Sequence, residues 1–201
     1  MIRVGFIINF EKDQWVGGYN HFVNLFNFIK QSKTKNIEPV LITDNLKRIK
    51  KENSFKGFKI ISTNLVSNTN KYIRLVNKIL IIVFGKNFLF DRFLKKNKIT
   101  ILSHSGFTGI QSKIKSYPWL PDFQELHFPK NFSLKKKILR KINIYLSTKH
   151  STKIIVSSKS VQKDLKKISN KSYKKSVVLN HTNNVVPLNK LKSLEYLKKK
   201  I

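Results

Sequence analysis

Asp122 is one of only five aspartates in a chain of 201 residues, and it stands between Pro121 and Phe123. A proline stiffens the backbone and an aromatic neighbour displaces water. The carboxylate therefore reads as fixed and partly desolvated, a setting that raises a carboxyl pKa and suits a general base. A loop aspartate that caps the following turn fits the same pattern. Around it, Pro118-Trp119-Leu120-Pro121-Asp122-Phe123-Gln124-Glu125-Leu126-His127-Phe128-Pro129 gathers aromatic rings, prolines, two carboxylates and an imidazole. Trp119 and Phe123 read as core residues or as a platform on which a sugar ring stacks. His104 directly follows the apolar run Ile99–Ser103, at what would be a strand tip. An imidazole there can hold a hydroxyl or shuttle a proton; a loop histidine bonded to backbone is the plainer alternative. Gly17-Gly18, followed by Tyr19, precedes a helical pattern. Two glycines let backbone N–H groups approach a ligand, and the helix N-terminus behind them favours an anion. A plain tight turn explains the pair equally well.

Other chemistries find no support. With no cysteine there is no disulfide framework, thiol nucleophile or thiolate zinc site. The glycine pair is neither GxGxxG nor a Walker loop. His21, His104, His127, His150 and His181 show no HxxxH or HxH spacing, and no DxD occurs, so no metal site is expected. Ser157-Ser158 lies outside any G-x-S-x-G context and reads as a helix cap.

These candidates need a scaffold that brings distant segments together. Ile2 to Asn9 is almost continuously apolar, as suits a parallel strand buried on both faces. A polar loop from Phe10 to Val16 and the glycines lead into a helix from Tyr19 to Lys30, with Phe22, Leu25, Phe26 and Ile29 inward. Further strands are expected at Pro39–Thr43, Phe58–Ser62, Ile99–Ser103, Lys153–Val156 and Ser176–Leu179. Helices are expected at Asn70–Phe84, which carries Ile73, Val76, Leu80 and Val83 at helical spacing, and at Phe88–Lys96. Ser105 to Lys115 reads as loop. Tyr117 to Gln124 reads as extended, because its two prolines disfavour helix. Ser133 caps a helix to about Lys149, in which Leu134, Ile138, Ile142, Tyr145 and Leu146 form the buried stripe. A last helix follows Ser157-Ser158, lined by Val161, Leu165 and Ile168. Alternating strands and helices predict an α/β fold: an open, mostly parallel, Rossmann-like sheet with helices on both faces. Residues 1–187 form this domain, and 188–201 a lysine-rich helical tail or the start of a further domain.

The net charge is +31, yet only 5 of the 41 basic residues are arginine, and alanine is absent. Arginine is the better fork for phosphate and base edges. The lysines are scattered along the chain, so the charge reads chiefly as AT-rich codon usage on solvated faces. A non-enzymatic basic domain that binds nucleic acid is the alternative reading; specific nucleic-acid recognition is not expected. Lys135-Lys136-Lys137, Arg140 and Lys141 flank an apolar stripe, as in a helix lying on a membrane surface, or as in a solvated helix packed by its other side. The run Ile79–Phe84 is far shorter than the roughly 20 residues that span a bilayer, and the N-terminus shows no signal pattern. The expected compartment is the cytoplasm, with contact at the inner membrane face.

Three segments together resemble the N-terminal half of family 4 glycosyltransferases, two-domain enzymes of the GT-B type. They are the apolar strand with GGYNHFVNLF, then PWLPDFQELHFPKNFS, then IIVSSKSVQKDL, and the resemblance spans roughly residues 1–186. It implies transfer of a sugar from a nucleotide-sugar donor to a glycan or lipid-linked acceptor in surface polysaccharide or lipopolysaccharide assembly, without a bound cofactor or metal. It puts Gly17 and Gly18 against the donor phosphates, Asp122 in the base position and His104 beside it as second candidate. Tyr19, Trp119, Gln124 and His127 join them as candidate substrate contacts. The sequence departs from the family pattern at Glu125, where the family often has histidine, and at Lys130, where it has glutamate. The paired glutamates of the family's donor domain are missing. The resemblance therefore implies half an active site, inactive without a donor domain or a partner chain.

Overall fold

The computed structural model describes residues 1–10, 15–32, 36–104, 106 and 108–180. The expected tail 188–201, and the domain boundary before it, lie outside the described residues. So do Ser105, Phe107 and much of the expected loop from Phe10 to Val16.

The first strand, β1 (Ile2–Ile7), is apolar on both faces because both are covered. Val4 and Phe6 enter one cluster, and Ile7 packs against another. β1 lies between β2 (Ile37–Thr43) and β4 (Ile99–Ser103), with β3 (Lys59–Ser62) outside β2 and β5 (Lys115–Tyr117) outside β4. The order is β3-β2-β1-β4-β5, and every pairing is parallel. Parallel neighbours need crossovers, which the helices supply. Pro118, which has no N–H to give, interrupts the last strand. Beyond it β6 (Trp119–Leu120) pairs with β7 (Ile154–Val156), and β7 with β8 (Ser176–Val178), again in parallel. Backbone bonds span the break: Thr152 N–H donates to Ser116 O at 2.9 Å and Ile155 N–H to Pro118 O at 2.8 Å. The second sheet thus extends the edge of the first.

On one face, α1 (Val16–Gln31) buries Tyr19, Phe22 and Phe26 against Phe6 and Leu41, joined by Ile49 of α2 (Leu46–Lys51) and by Phe55. The other face is covered after α3 (Lys71–Phe84) by α4 (Phe88–Lys96), whose Phe90 and Leu94 pack on Val40, Ile42, Ile99 and Leu102. Each fully buried side chain of this size contributes roughly 1.5–3 kcal/mol relative to exposure. A third cluster joins Phe123 to Ile154, Val156 and Leu165, with Ile144 of α6 (Leu134–Lys149) and Val161 of α7 (Lys159–Ile168) against it; α5 (Gln124–His127) follows Phe123, and α8 (Asn170–Lys174) packs on α7. Asn45, Asn70, Asn87, Ser133, Ser158 and Ser169 cap their helices with side-chain oxygens. The architecture is a Rossmann-like α/β fold, as the alternating pattern predicts.

Two expectations, for the glycine pair and for α6, are corrected. Gly17 and Gly18 do not form a loop; they lie in the first turn of α1, which starts at Val16. First-turn N–H groups have no partner four residues back, so glycine disturbs little there. In α3 only Leu80 and Ile81 are buried, while Val76 and Val83 are exposed. In α6 only Leu146 of the expected stripe is buried; Leu134, Ile138, Ile142 and Tyr145 face outward. Apolar periodicity shows that a helix has an apolar side, not that another element covers it.

Candidate functional site

In an open parallel sheet, ligands reach the carboxyl ends of the strands. At this edge β1 leads towards α1 and β4 ends at His104. His104 is 8% exposed and has φ 61°, a left-handed conformation uncommon outside glycine. Such a backbone costs on the order of 1–3 kcal/mol and persists only where its surroundings hold it. Here its N–H donates to Tyr117 O at 2.8 Å, and its Nδ1 lies 2.9 Å from Ser103 Oγ. Its ring centroid is 5.2 Å from that of His21 and 6.0 Å from that of Trp119. His21 stacks on Trp119 with centroids 4.0 Å apart and planes 19° from parallel. Trp15 lies against Trp119 at 5.5 Å. Two imidazoles and two indoles from α1, β4 and β6 thus form one cluster.

Gly18 belongs to this cluster for a steric reason. A Cβ there would lie 2.2 Å from the Trp15 ring, whereas one on Gly17 would meet nothing within 4 Å. Gly17 is exposed at the start of α1, whose first turn holds no acidic side chain. Tyr19 turns away: its hydroxyl donates to Glu52 Oε2 at 2.5 Å, and burial pushes its pKa up. Trp119 is 7% exposed with one face covered by His21, so it is a core residue of the cluster.

Asp122 follows the carboxyl end of β6. β4 has ended opposite Tyr117, while this segment runs on through Trp119 and Leu120 before reaching Asp122. The carboxylate is not desolvated: its side chain is 41% exposed, with Arg140 Nη2 at 3.2 Å and Gln124 Nε2 at 3.3 Å. Arg140 also meets Glu125 at 2.8 Å, so one guanidinium gathers two carboxylates. Gln124 N–H points at Asp122 Oδ1 from 3.5 Å, the turn-capping geometry. His127 is held by Asp164 of α7, Nε2 to Oδ2 at 2.6 Å, and Lys167 lies 3.2 Å from the other oxygen. Asp164 is buried, a cost that by itself would raise its pKa; the bonds from His127 and Lys167 outweigh it and hold the carboxyl below its usual range.

The candidates therefore fall into two groups. Gly17, Gly18, His104 and Trp119 come together around His21 and Trp15. Asp122, Gln124 and His127 belong to polar contacts among α5, α6 and α7. A groove of about 790 Å³ between α6 and α8 borders the second group: Glu125 and Lys167 line it together with Leu126, Ile144, Tyr145 and Ile168. Among the described residues no cluster of His, Asp and Glu could hold a metal ion. Sequence reasoning missed Trp15, His21, Arg140 and Asp164 as members of these groups. His21 was accessible to it, standing one helical turn after Gly17 on the same side of α1. Compared with family models and with curated proteins, the chain matches none.

The first group sets two buried imidazoles beside two indole rings. His21 and His104 are 6% and 8% exposed, and Trp15, at 40%, marks the open rim beside Gly17.

Proposed function

We propose that this chain is the acceptor-side part of a glycosyltransferase resembling family 4 of the GT-B type. It would pass a sugar from a nucleotide sugar to a glycan or lipid-linked acceptor in surface polysaccharide or lipopolysaccharide assembly. The observation that carries the reading is the convergence of the α1 N-terminus, the strained His104 and Trp119 at the carboxyl edge of a parallel sheet. The first-turn amides of Gly17 and Gly18 suit the diphosphate of a donor, whose negative charge grows as it leaves. The donor nucleotide itself is held by a facing domain or partner chain. In this reading His104 takes the acceptor hydroxyl proton, and Asp122, engaged with Arg140, positions α6 against the PWLPDFQ segment.

Calorimetric titration with glycan and lipid-linked acceptors tests this. Binding is expected to change little with salt and to weaken about tenfold in His104→Asn, since asparagine tolerates the left-handed backbone but brings no ring nitrogen to hydrogen-bond the acceptor hydroxyl. Absence of glycan binding, with oligonucleotide binding that falls steeply as salt rises, would overturn the reading in favour of a basic nucleic-acid-binding domain.

A further inference from the structure

Beside the second sheet, α5, α6 and the turn from α7 to α8 line a groove of about 790 Å³. α6 contributes Lys137, Lys141, Ile144, Tyr145 and Thr148, which follow one another at three- and four-residue steps and so share one side of that helix. Ile144 also packs on the third core cluster, which ties this side of α6 to the sheet. Leu126, Tyr145 and Ile168 supply apolar surface and remain 46%, 57% and 40% exposed. Charge in the groove has one sign. Among the described residues Glu125 is the sole acidic side chain lining it, and Arg140 holds that carboxylate at 2.8 Å. Lys167 is paired with Asp164. Lys137, Lys141 and Lys171 line the groove and form no ion pair among the described residues.

An apolar groove edged by unpaired cations restricts its occupant. Small-molecule sites bury most of their ligand. Here the apolar side chains stay about half exposed, so an occupant is covered on one side only. An amphipathic helix is covered in that way: its apolar side chains at i, i+3, i+4 and i+7 enter a groove while its polar side keeps its water. The lysines select the charge of that helix. Asp and Glu flanking its apolar side meet Lys137, Lys141 and Lys171 as complements, whereas basic flanks meet them as like charges. Like charge disfavours a second copy of this chain, with 41 basic and 10 acidic residues, and the chain's own segment 188–201, with five lysines and one glutamate. A nucleic acid neutralises the lysines but leaves Leu126, Tyr145 and Ile168 in water. We propose that the groove between α6 and α8 is a docking site for an acidic amphipathic helix of a partner protein. The proposal stands independently of the glycosyltransferase reading.

The experiment is fluorescence anisotropy of a labelled synthetic peptide with the full chain. The peptide has about 18 residues, with leucine at i, i+3, i+4 and i+7 positions and glutamate between them. One control keeps the composition but places the leucines out of helical register; another has lysine for every glutamate. The acidic amphipathic peptide is expected to bind at least about tenfold tighter than either control at roughly 0.15 M salt. Tyr145→Asp with Ile168→Asp, and separately Lys137→Gln with Lys141→Gln and Lys171→Gln, should each weaken it about tenfold. Val83→Ser, at an exposed position of α3 outside the groove, should leave it unchanged. Circular dichroism checks that these variants are folded; Leu126→Ser with Tyr145→Ser, both at exposed positions, serves if they are not. Four outcomes would overturn the proposal. One is no binding of the acidic amphipathic peptide. Another is equal affinity for the peptide with leucines out of register, which would leave charge alone as the cause. The third is binding that the groove variants do not alter. The last is a dimer seen by light scattering that Tyr145→Asp splits, which would make a second copy the occupant.

Discussion

Adjacent glycines in the first turn of α1 have opposite tolerances. Gly17→Ala meets no neighbour within 4 Å and removes a flexible residue from a helix, so stability should hold or rise by at most about 1 kcal/mol. In Gly18→Ala the new Cβ would lie 2.2 Å from Trp15, and the indole must leave its place beside Trp119. Tryptophan fluorescence should shift in Gly18→Ala and not in Gly17→Ala, with urea unfolding reporting the loss only in the former. Buried ionisable groups make a second prediction. The Asp164 carboxyl sits below 3.8 in the fold, so its stabilising share is fully present above that value and is lost as pH falls through the folded pKa. His150 is buried and held below 6.5, so its protonation in the unfolded chain weakens the fold as pH falls below 6.5. Thermal melts of Asp164→Asn should therefore show a flatter acid limb below about pH 4, and melts of His150→Gln a flatter slope just below pH 6.5.

Helix ends decide much of how the elements dock. The Lys175 ammonium, between α8 and β8, donates to the Thr148 and Ser151 carbonyls where α6 ends, the latter at 2.8 Å. A cation there satisfies carbonyls that have no partner within the helix, and it meets the negative end of the helix dipole. Lys175→Met should cost about 1–3 kcal/mol in urea unfolding, against less than about 0.5 kcal/mol for the exposed Lys174→Met. The corner between α3 and α4 rests on close backbone approach. Gly109 has φ 106°, and a Cβ on it would lie 2.1 Å from Gly85 O, at the left-handed C-cap of α3. Gly109→Ala should lower stability by more than about 2 kcal/mol, read as a fall in Tm, because neither backbone can yield. The glycines after His104 thus include one whose need is steric and lies at a helix corner.

The whole chain carries 41 basic and 10 acidic residues, so it repels itself. Screening by salt should raise Tm between roughly 0.02 M and 0.2 M ionic strength, as the Debye length shrinks. The lysines are spread along the chain and not gathered in one segment. Pro118 acts at this level too, because it divides the sheet where Trp119 leaves β4's edge and joins β7. The divide lets the common direction of the described strands continue while the PWLPDFQ segment swings towards α6.

The parallel α/β plan was legible because apolar runs such as Ile2–Ile7 and Ile99–Ser103 show no alternation, and only strands covered on both faces have that pattern. Caps at Ser133 and Ser158 were legible for a local reason, since a cap bonds within three residues of itself. His104 at the tip of β4 followed in the same way. Partnership across the chain was not legible. Asp122 met Arg140 eighteen residues on, and His127 met Asp164 thirty-seven residues on. His21 found the face of Trp119 through the closing of α1 over the sheet. Such pairings depend on where β6 leaves the first sheet and how α6 lies beside it, and no spacing along the chain encodes a distance through space. Coverage of an apolar stripe has the same origin: periodicity assigns α3 and α6 an apolar side, and packing alone settles whether that side meets protein or faces outward.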